Sequence, residues 1–240
     1  MVKTASLRVL ITASLAAALG GCAASGAVSI QPGYFFGHDL RHEQSIVYVL
    51  DLSGSMQGGS GSIVENVGTD VGAKVGGGIV GGFFGKRTGK VVEDNVQKLR
   101  QKVEKVKLHL IASLNGLPPG SRFNVLLFSN GVQKLSPVMI ETSPASVGLV
   151  SAFVSQLEAS GSTSLMAALQ AGMTAGGQHV IVLTDGLPTD ATPQQIMFMV
   201  SQVNAAHAMR ISTVGVGHDQ DLGFLRDLAM ANGGSFVSYD

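Results

Sequence analysis

Residues 46–56 read Ile-Val-Tyr-Val-Leu-Asp-Leu-Ser-Gly-Ser-Met, an apolar run followed at once by side chains that carry oxygen. The run from Ile46 to Leu50 is apolar at every position, whereas a strand with one wet face alternates apolar and polar residues. This pattern predicts a central parallel strand that is covered on both faces. Asp51, Ser53 and Ser55 then follow its carboxyl end.

A long amphipathic helix is predicted between this strand and the next one. Apolar residues recur every three or four positions from Val92 to Leu117, which places them on one stripe of a helix. Basic residues from Lys98 to Lys107 fill the other faces. We interpret them as the charged outer side of a surface helix, with an anion-binding surface as the alternative.

The remainder of the chain alternates strands with helices. Strands are predicted at 123–128, 180–183, 211–216 and 236–239, with a hairpin partner near 132–138, and helices near 146–157, 164–175, 193–206 and 221–231. Such alternation implies a mostly parallel sheet with helices on both faces. Open sheets of this type bind ligands beyond the carboxyl ends of their strands, so functional motifs are expected after Leu50 and Leu183.

Three short motifs occupy these places. They are Asp51-Leu52-Ser53-Gly54-Ser55, Gly161-Ser162-Thr163-Ser164 at the start of a predicted helix, and Thr184-Asp185-Gly186. Their order resembles the metal-ion-dependent adhesion site of von Willebrand factor A domains. The resemblance covers residues 44–240 and implies that family's Rossmann-like, doubly wound α/β fold, a mostly parallel six-stranded sheet with one antiparallel edge strand.

The resemblance also implies a ligand set for one divalent cation, Mg²⁺ or Mn²⁺. Ser53 and Ser55 would bind through their hydroxyls, Thr163 directly or through water, and Asp51 and Asp185 mainly through bridging waters. Hydroxyls and carboxylates are the hard oxygen ligands that Mg²⁺ prefers. Taken singly, Thr163 also fits a helix cap and Asp185 a turn. The open sixth position implies a partner protein that offers a Glu or Asp carboxylate.

The first residues predict an exported lipoprotein. Residues 1–21 join basic Lys3 and Arg8 to an apolar run too short to span a bilayer, as in a signal peptide. They lead into Leu19-Gly20-Gly21-Cys22, which resembles the bacterial lipobox, and a plain secretory signal is the alternative. We expect a lipid anchor on Cys22 and a place in the bacterial cell envelope, with the outer membrane favoured over the inner by Ala23.

Residues 22–44 are predicted to form a tether between the lipid and a domain that spans residues 45–240. They contain small residues and a proline without sustained periodicity. His38 and His42 stand four apart, but Gly37 and the lack of a third ligand argue against a metal site. We interpret both as parts of a solvated linker.

A glycine-rich insertion from residue 57 to residue 91 separates the first motif from the long helix. Gly77, Gly81, Gly85 and Gly89 are spaced by four, the pattern that lets helices pack closely in membranes. This spacing supports a second hypothesis, a membrane-active or self-associating structural lipoprotein that acts through a glycine zipper. A lid over the metal and a disordered segment are the other interpretations.

Composition and motifs exclude other functions. The 16 basic and 16 acidic side chains balance and are scattered, which argues against nucleic-acid binding. The insertion contains Gly76-x-Gly78-x-x-Gly81, but no buried strand leads into it, as a dinucleotide site requires. No nucleophile and base are suggested either, so we do not expect an enzyme. The oligomeric state stays open.

Overall fold

The structure is a computed structural model that describes residues 29–57, 102–155, 161–185, 187–217 and 220–239. The predicted signal peptide, Cys22 and the glycine-rich insertion from residue 58 onward lie outside the described residues. Within the described ranges, no helix has the length and apolar content that crossing a membrane requires.

The described elements alternate as the sequence predicts. The strands are β1 (Tyr34–Phe35), β2 (His38–Asp39), β3 (Ser45–Asp51), β4 (Arg122–Phe128), β5 (Val132–Lys134), β6 (Ile140–Glu141), β7 (His179–Thr184), β8 (Arg210–Val216) and β9 (Gly233–Tyr239). The helices are α1 (described from 102 to 115), α2 (Pro144–Ser155), α3 (Leu165–Met173), α4 (Pro193–Asn204) and α5 (Leu222–Ala231), with a 3₁₀ helix at Gly54–Gln57.

The main sheet of the described part has seven strands. Its path runs β5-β4-β3-β7-β8-β9, with β6 also paired to β4. β3 is parallel to β4 on one side and to β7 on the other, and β8 and β9 continue the parallel arrangement. The prediction of a mostly parallel α/β sheet is therefore confirmed.

The antiparallel edge differs in detail from the single predicted strand. The chain from 132 to 141 pairs with β4 twice, through β5 and through β6, and leaves the sheet between them. There the Asn124 side chain donates hydrogen bonds to the carbonyls of Ser136 (2.9 Å) and Val138 (3.3 Å). These bonds replace ladder bonds, so the edge consists of two short strands.

Apolar side chains bury both faces of the sheet. One core joins alternate residues of β3, such as Tyr48 and Leu50, to α1 and α2. The other joins Val47 and Val49 to α3, α4 and α5. Because successive residues of a strand point to opposite faces, the uniformly apolar Ile46–Leu50 run serves both cores.

Residues 34–40 correct the predicted tether. Phe35, Phe36 and Leu40 are fully buried and belong to the core on the α1 side. The Phe36 ring stacks on His109 of α1 with centroids 4.0 Å apart, and the Gly33 amide donates to the Ala112 carbonyl. The β1–β2 hairpin is therefore part of the domain, because its aromatic residues cover apolar surface between α1 and the sheet.

His38 is likewise a core residue and not part of a solvated linker. Its Nδ1 lies 3.0 Å from the Ser235 hydroxyl of β9, and the Ser235 amide donates to the Ser212 hydroxyl. That hydroxyl is 2.9 Å from Nε2 of His179, at the start of β7. A chain of polar groups thus fixes the hairpin to three strands. His42, by contrast, is exposed as predicted.

Charged residues complete this network at the edge where the strands begin. Arg210 forms an ion pair with Glu43, and its guanidinium lies 3.1 Å from Nδ1 of His179. Burial lowers the pKa of His179 to about 4, and burial together with the charge of nearby groups lowers that of His38 to about 4. Both rings are thus held neutral within a network that already contains a guanidinium.

The network predicts a loss of stability in mild acid. Between pH 6.5 and pH 4 the unfolded chain binds more protons at these histidines than the folded chain, so their contribution to the free energy of unfolding falls as the pH falls through this window. Each unit of pKa difference corresponds to about 1.4 kcal/mol. Urea denaturation at pH 7.5, 6, 5 and 4.5 measures the decline.

The variant H179Q should flatten this decline, because glutamine can keep a hydrogen bond to Ser212 without titrating. H42Q, which removes an exposed histidine, is the matched control and should follow the wild-type profile. Equal profiles for H179Q and the wild type would contradict the assignment.

Candidate metal centre

The carboxyl ends of β3 and β7 bring two buried acids to one edge of the sheet. Leu50 pairs with Leu183 across the two strands, so Asp51 lies level with Thr184 and Asp185 follows one residue further on. Asp51 is fully buried and Asp185 is 3% exposed. The chain leaves β3 toward β4 on one side and returns later to β7 on the other, so the strand order reverses here, where open α/β sheets bind ligands.

Hydrogen bonds fix the Asp51 carboxylate on both of its oxygens. Oδ1 accepts from the Ser53 amide at 2.7 Å, and Oδ2 accepts from the Thr184 hydroxyl at 2.5 Å. Burial raises the pKa of Asp51 to about 6; the Ser53 and Thr184 hydrogen bonds act in the opposite direction, and the charge of Asp185 adds to the rise. A positive charge at this edge would therefore stabilise the ionised form.

The loop that carries Thr163 is tied to both neighbouring segments. The Gly54 amide donates to the Gly161 carbonyl at 2.9 Å, which joins this loop to the one after β3. The Thr163 amide donates to the Thr189 hydroxyl at 3.0 Å, and the Thr163 carbonyl accepts from the Thr189 amide at 2.9 Å. Thr163 is only 4% exposed.

Asn130 holds the start of this loop. Its Oδ1 accepts from the Ser162 amide at 2.6 Å and from the Ser162 hydroxyl at 2.7 Å. Gly161 has φ +85°, and a Cβ there would collide with the Asn130 side chain. Glycine is thus required both for the backbone conformation and for the space.

Asp190 anchors the same region from the loop after β7. Its two carboxylate oxygens accept from the amides of Met166 (3.2 Å) and Ala167 (3.1 Å) in the first turn of α3. These amides have no partner within the helix, and a negative charge is stabilising there. The loops after β3 and β7 and the start of α3 therefore form one hydrogen-bonded unit.

Comparison with known proteins identifies the family. A model of the von Willebrand factor type A domain matches residues 91–237 of this chain. The chain belongs to the von Willebrand factor type A family. The matched range includes Thr163 and Asp185, whereas Asp51, Ser53 and Ser55 precede it.

Curated relatives of this von Willebrand factor type A chain are much longer proteins. It is 29% identical to inter-alpha-trypsin inhibitor heavy chain H1 of Mesocricetus auratus over 148 residues, 56% of this chain and 16% of that protein. It is 25% identical to heavy chain H4 of Homo sapiens over 232 residues, 87% of this chain and 20% of that protein. The chain thus matches no more than about a fifth of either relative.

Solved structures share the fold at low sequence identity. A von Willebrand factor type A protein from Catenulispora acidiphila aligns with a TM-score of 0.60 at 19% identity, covering 82% of this chain and 39% of that one. The BatB protein from Bacteroides thetaiotaomicron aligns with a TM-score of 0.53 at 14% identity, covering 81% and 89%. Both support the von Willebrand factor type A fold.

The structure brings together four of the five predicted metal ligands of this von Willebrand factor type A domain. Asp51, Ser53, Thr163 and Asp185 are all buried at the edge where β3 and β7 end. Ser55 lies on the 3₁₀ helix, and its side chain is outside the described residues. Metal binding by these residues stays a prediction.

Several positioning residues escaped the sequence prediction. Thr184 and Thr189 form hydrogen bonds with the predicted ligands Asp51 and Thr163. Asn130 and Asp190 bind the neighbouring residues Ser162, Met166 and Ala167. Asn130 could have been predicted from the sequence, because it follows β4 by two residues. The rule that singled out the polar residues after β3 and β7 applies to it as well.

The donor set fits a hard divalent cation. Two acids and the hydroxyl-bearing Ser53 and Thr163 supply oxygen. The described ranges contain no cluster of three or more His, Cys, Asp or Glu residues that could hold a metal.

The variant T184V should destabilise the domain through Asp51. Valine keeps the shape of threonine but removes the hydroxyl that donates to Oδ2, which leaves a buried acceptor with one donor fewer. We expect the free energy of unfolding to fall by about 1–3 kcal/mol in urea with EDTA present. The control T174V removes an exposed hydroxyl at the end of α3 and should change it by less than about 0.5 kcal/mol. Equal losses would contradict this role for Thr184.

Proposed function

We propose that this protein is a binding module of the bacterial cell envelope that uses a divalent cation to engage an acidic residue of a partner protein. Asp51, Ser53, Ser55, Thr163 and Asp185 are the proposed ligands, and Mg²⁺ or Mn²⁺ is the proposed ion. The observation that carries the proposal is the convergence of two buried acids and two buried hydroxyl-bearing residues at the sheet edge.

The fixed geometry of Asp51 supports binding over catalysis. A general base needs a lone pair directed at a substrate proton. Both oxygens of Asp51 are instead engaged by donors of the protein itself, Ser53 and Thr184. The carboxylate thus balances charge, and a cation that keeps an open position attracts an incoming carboxylate.

The rim of the site supports a protein as the partner. Leu187, two residues after Asp185, is 56% exposed, and Pro188 follows it. Apolar side chains beside a charged centre are typical of protein interfaces, where buried apolar contacts accompany a few oriented polar ones. A free carboxylate such as acetate would leave this rim uncovered.

Calorimetry with Mg²⁺ and Mn²⁺ on the purified full chain tests the ion. The wild type should bind one cation, and D51N should lose at least about tenfold in affinity because it removes a negative charge beside the ion. The matched control D227N neutralises an exposed carboxylate on α5 and should bind as the wild type does. Absence of uptake by the wild type would contradict the metal centre.

A pull-down from envelope extract, made with and without EDTA, tests the partner. The proposal requires that EDTA releases the bound protein, that added Mg²⁺ restores it, and that D51N captures none. Capture that is indifferent to EDTA and to D51N would instead support the glycine-zipper hypothesis.

The lipid anchor is a separate part of the proposal, supported by the lipobox-like Leu19–Cys22 segment. The variant C22S should lose the acyl chains and leave the membrane fraction, because acyl burial provides the attachment. Labelling with a palmitate analogue followed by membrane fractionation measures both effects. S25A, three residues along, is the control and should stay labelled; an unlabelled wild type would contradict the anchor.

A further inference from the structure

Lys102, near the start of the described part of α1, places a positive charge at the candidate metal centre. Its Nζ lies 3.4 Å from Oδ2 of Asp185. The Asp185 side chain is 2% exposed and that of Lys102 is 30% exposed. The carboxylate of this pair is therefore shielded from water. Ion pairs that are exposed on both sides, by contrast, contribute little to stability.

The end of β8 is shaped to admit this side chain. Lys102 lines a crevice with Val216 and Gly217. A Cβ on Gly217 would stand 2.9 Å from the Lys102 Nζ, and the φ of Gly217 is +89°. The glycine thus leaves the space that the ammonium uses on its way to Asp185.

We propose that Lys102 is a built-in competitor of the divalent cation. Its ammonium binds Asp185 in the metal-free domain, and its charge repels the ion that the same carboxylate helps to hold. This inference rests on the proposed metal centre and adds to it a residue that sets its affinity. Lys102 thus weakens metal binding and stabilises the metal-free fold.

The positive charge of Lys102 accounts for both the weaker metal binding and the more stable metal-free fold. A unit charge within a few ångströms of a divalent ion changes its binding substantially at a partly buried site, where solvent screens less than at the surface. Without the ammonium, the metal-free protein keeps the buried Asp185 carboxylate with one cationic partner fewer. When the site is occupied, the metal ion itself compensates the charge of the Asp185 carboxylate.

Calorimetric titration of the purified full chain with Mn²⁺ tests the proposal. K102M should bind about tenfold more tightly than the wild type, because a nearby like charge is gone. K102R keeps the charge and should stay within about threefold of the wild type. K105M is the matched control on the same helix: Lys105 lies over the Tyr239 ring, 5.3 Å from its centroid, so its loss should leave the affinity unchanged.

Thermal unfolding in EDTA provides a readout that needs no metal. There K102M should melt at a lower temperature than the wild type and K105M, whereas saturating Mn²⁺ should raise the melting temperature of K102M by the largest amount. Circular dichroism checks the fold, and K102Q replaces K102M in both experiments should K102M fail to fold.

The outcomes separate this inference from the proposed function. A wild type that takes up no Mn²⁺ contradicts the metal centre itself. A wild type that binds Mn²⁺, together with a folded neutral variant that binds it equally or more weakly, contradicts the role of Lys102 alone.

Discussion

A carboxylate buried at the end of the central strand is the constraint on which the rest of the site depends. Asp51 has no exposed surface, and a buried ion is costly unless donors and opposite charge compensate it. One donor, the Ser53 amide, is local, but the other is the Thr184 hydroxyl of β7. The pairing of β3 with β7 is thus a condition for keeping Asp51 inside, and it brings Asp185 to the same edge.

The two cores hold the strand ends at this edge in place. β3 is buried on both faces, by α1 and α2 on one side and by α3 on the other. Its end therefore cannot shift without disturbing both. Asp190 and Thr189 then fasten the start of α3 to the loop after β7, so the residues that converge on the site belong to elements already fixed by apolar packing. Hydrogen bonds orient the side chains of the site, and apolar packing keeps the strands and helices that carry them in place.

Strand ends were enough to find Asp51 and Asp185, uniformly apolar runs to predict β3 and β7, and periodicity to predict the described helices. Periodicity failed at the β1–β2 hairpin, because Phe35, Phe36 and Leu40 follow no period, and what buries them is the side of α1, a contact distant in sequence. Lys102 was interpreted as outer-face charge for the same reason. The stripe of α1 shows which residues face the core, but only the folded chain shows that this end of the helix reaches Asp185.

Helix α1 extends from the candidate metal centre to the segment that precedes the β1–β2 hairpin. Lys102 contacts Asp185, whereas the Ala112 carbonyl, ten residues on, accepts from Gly33 just before the hairpin. Ten helical residues span about 15 Å. β3 packs against α1 through alternate residues and ends at the candidate site with Asp51. Gly33 therefore contacts the part of α1 that lies away from Lys102, so the segment before the hairpin is remote from the candidate site.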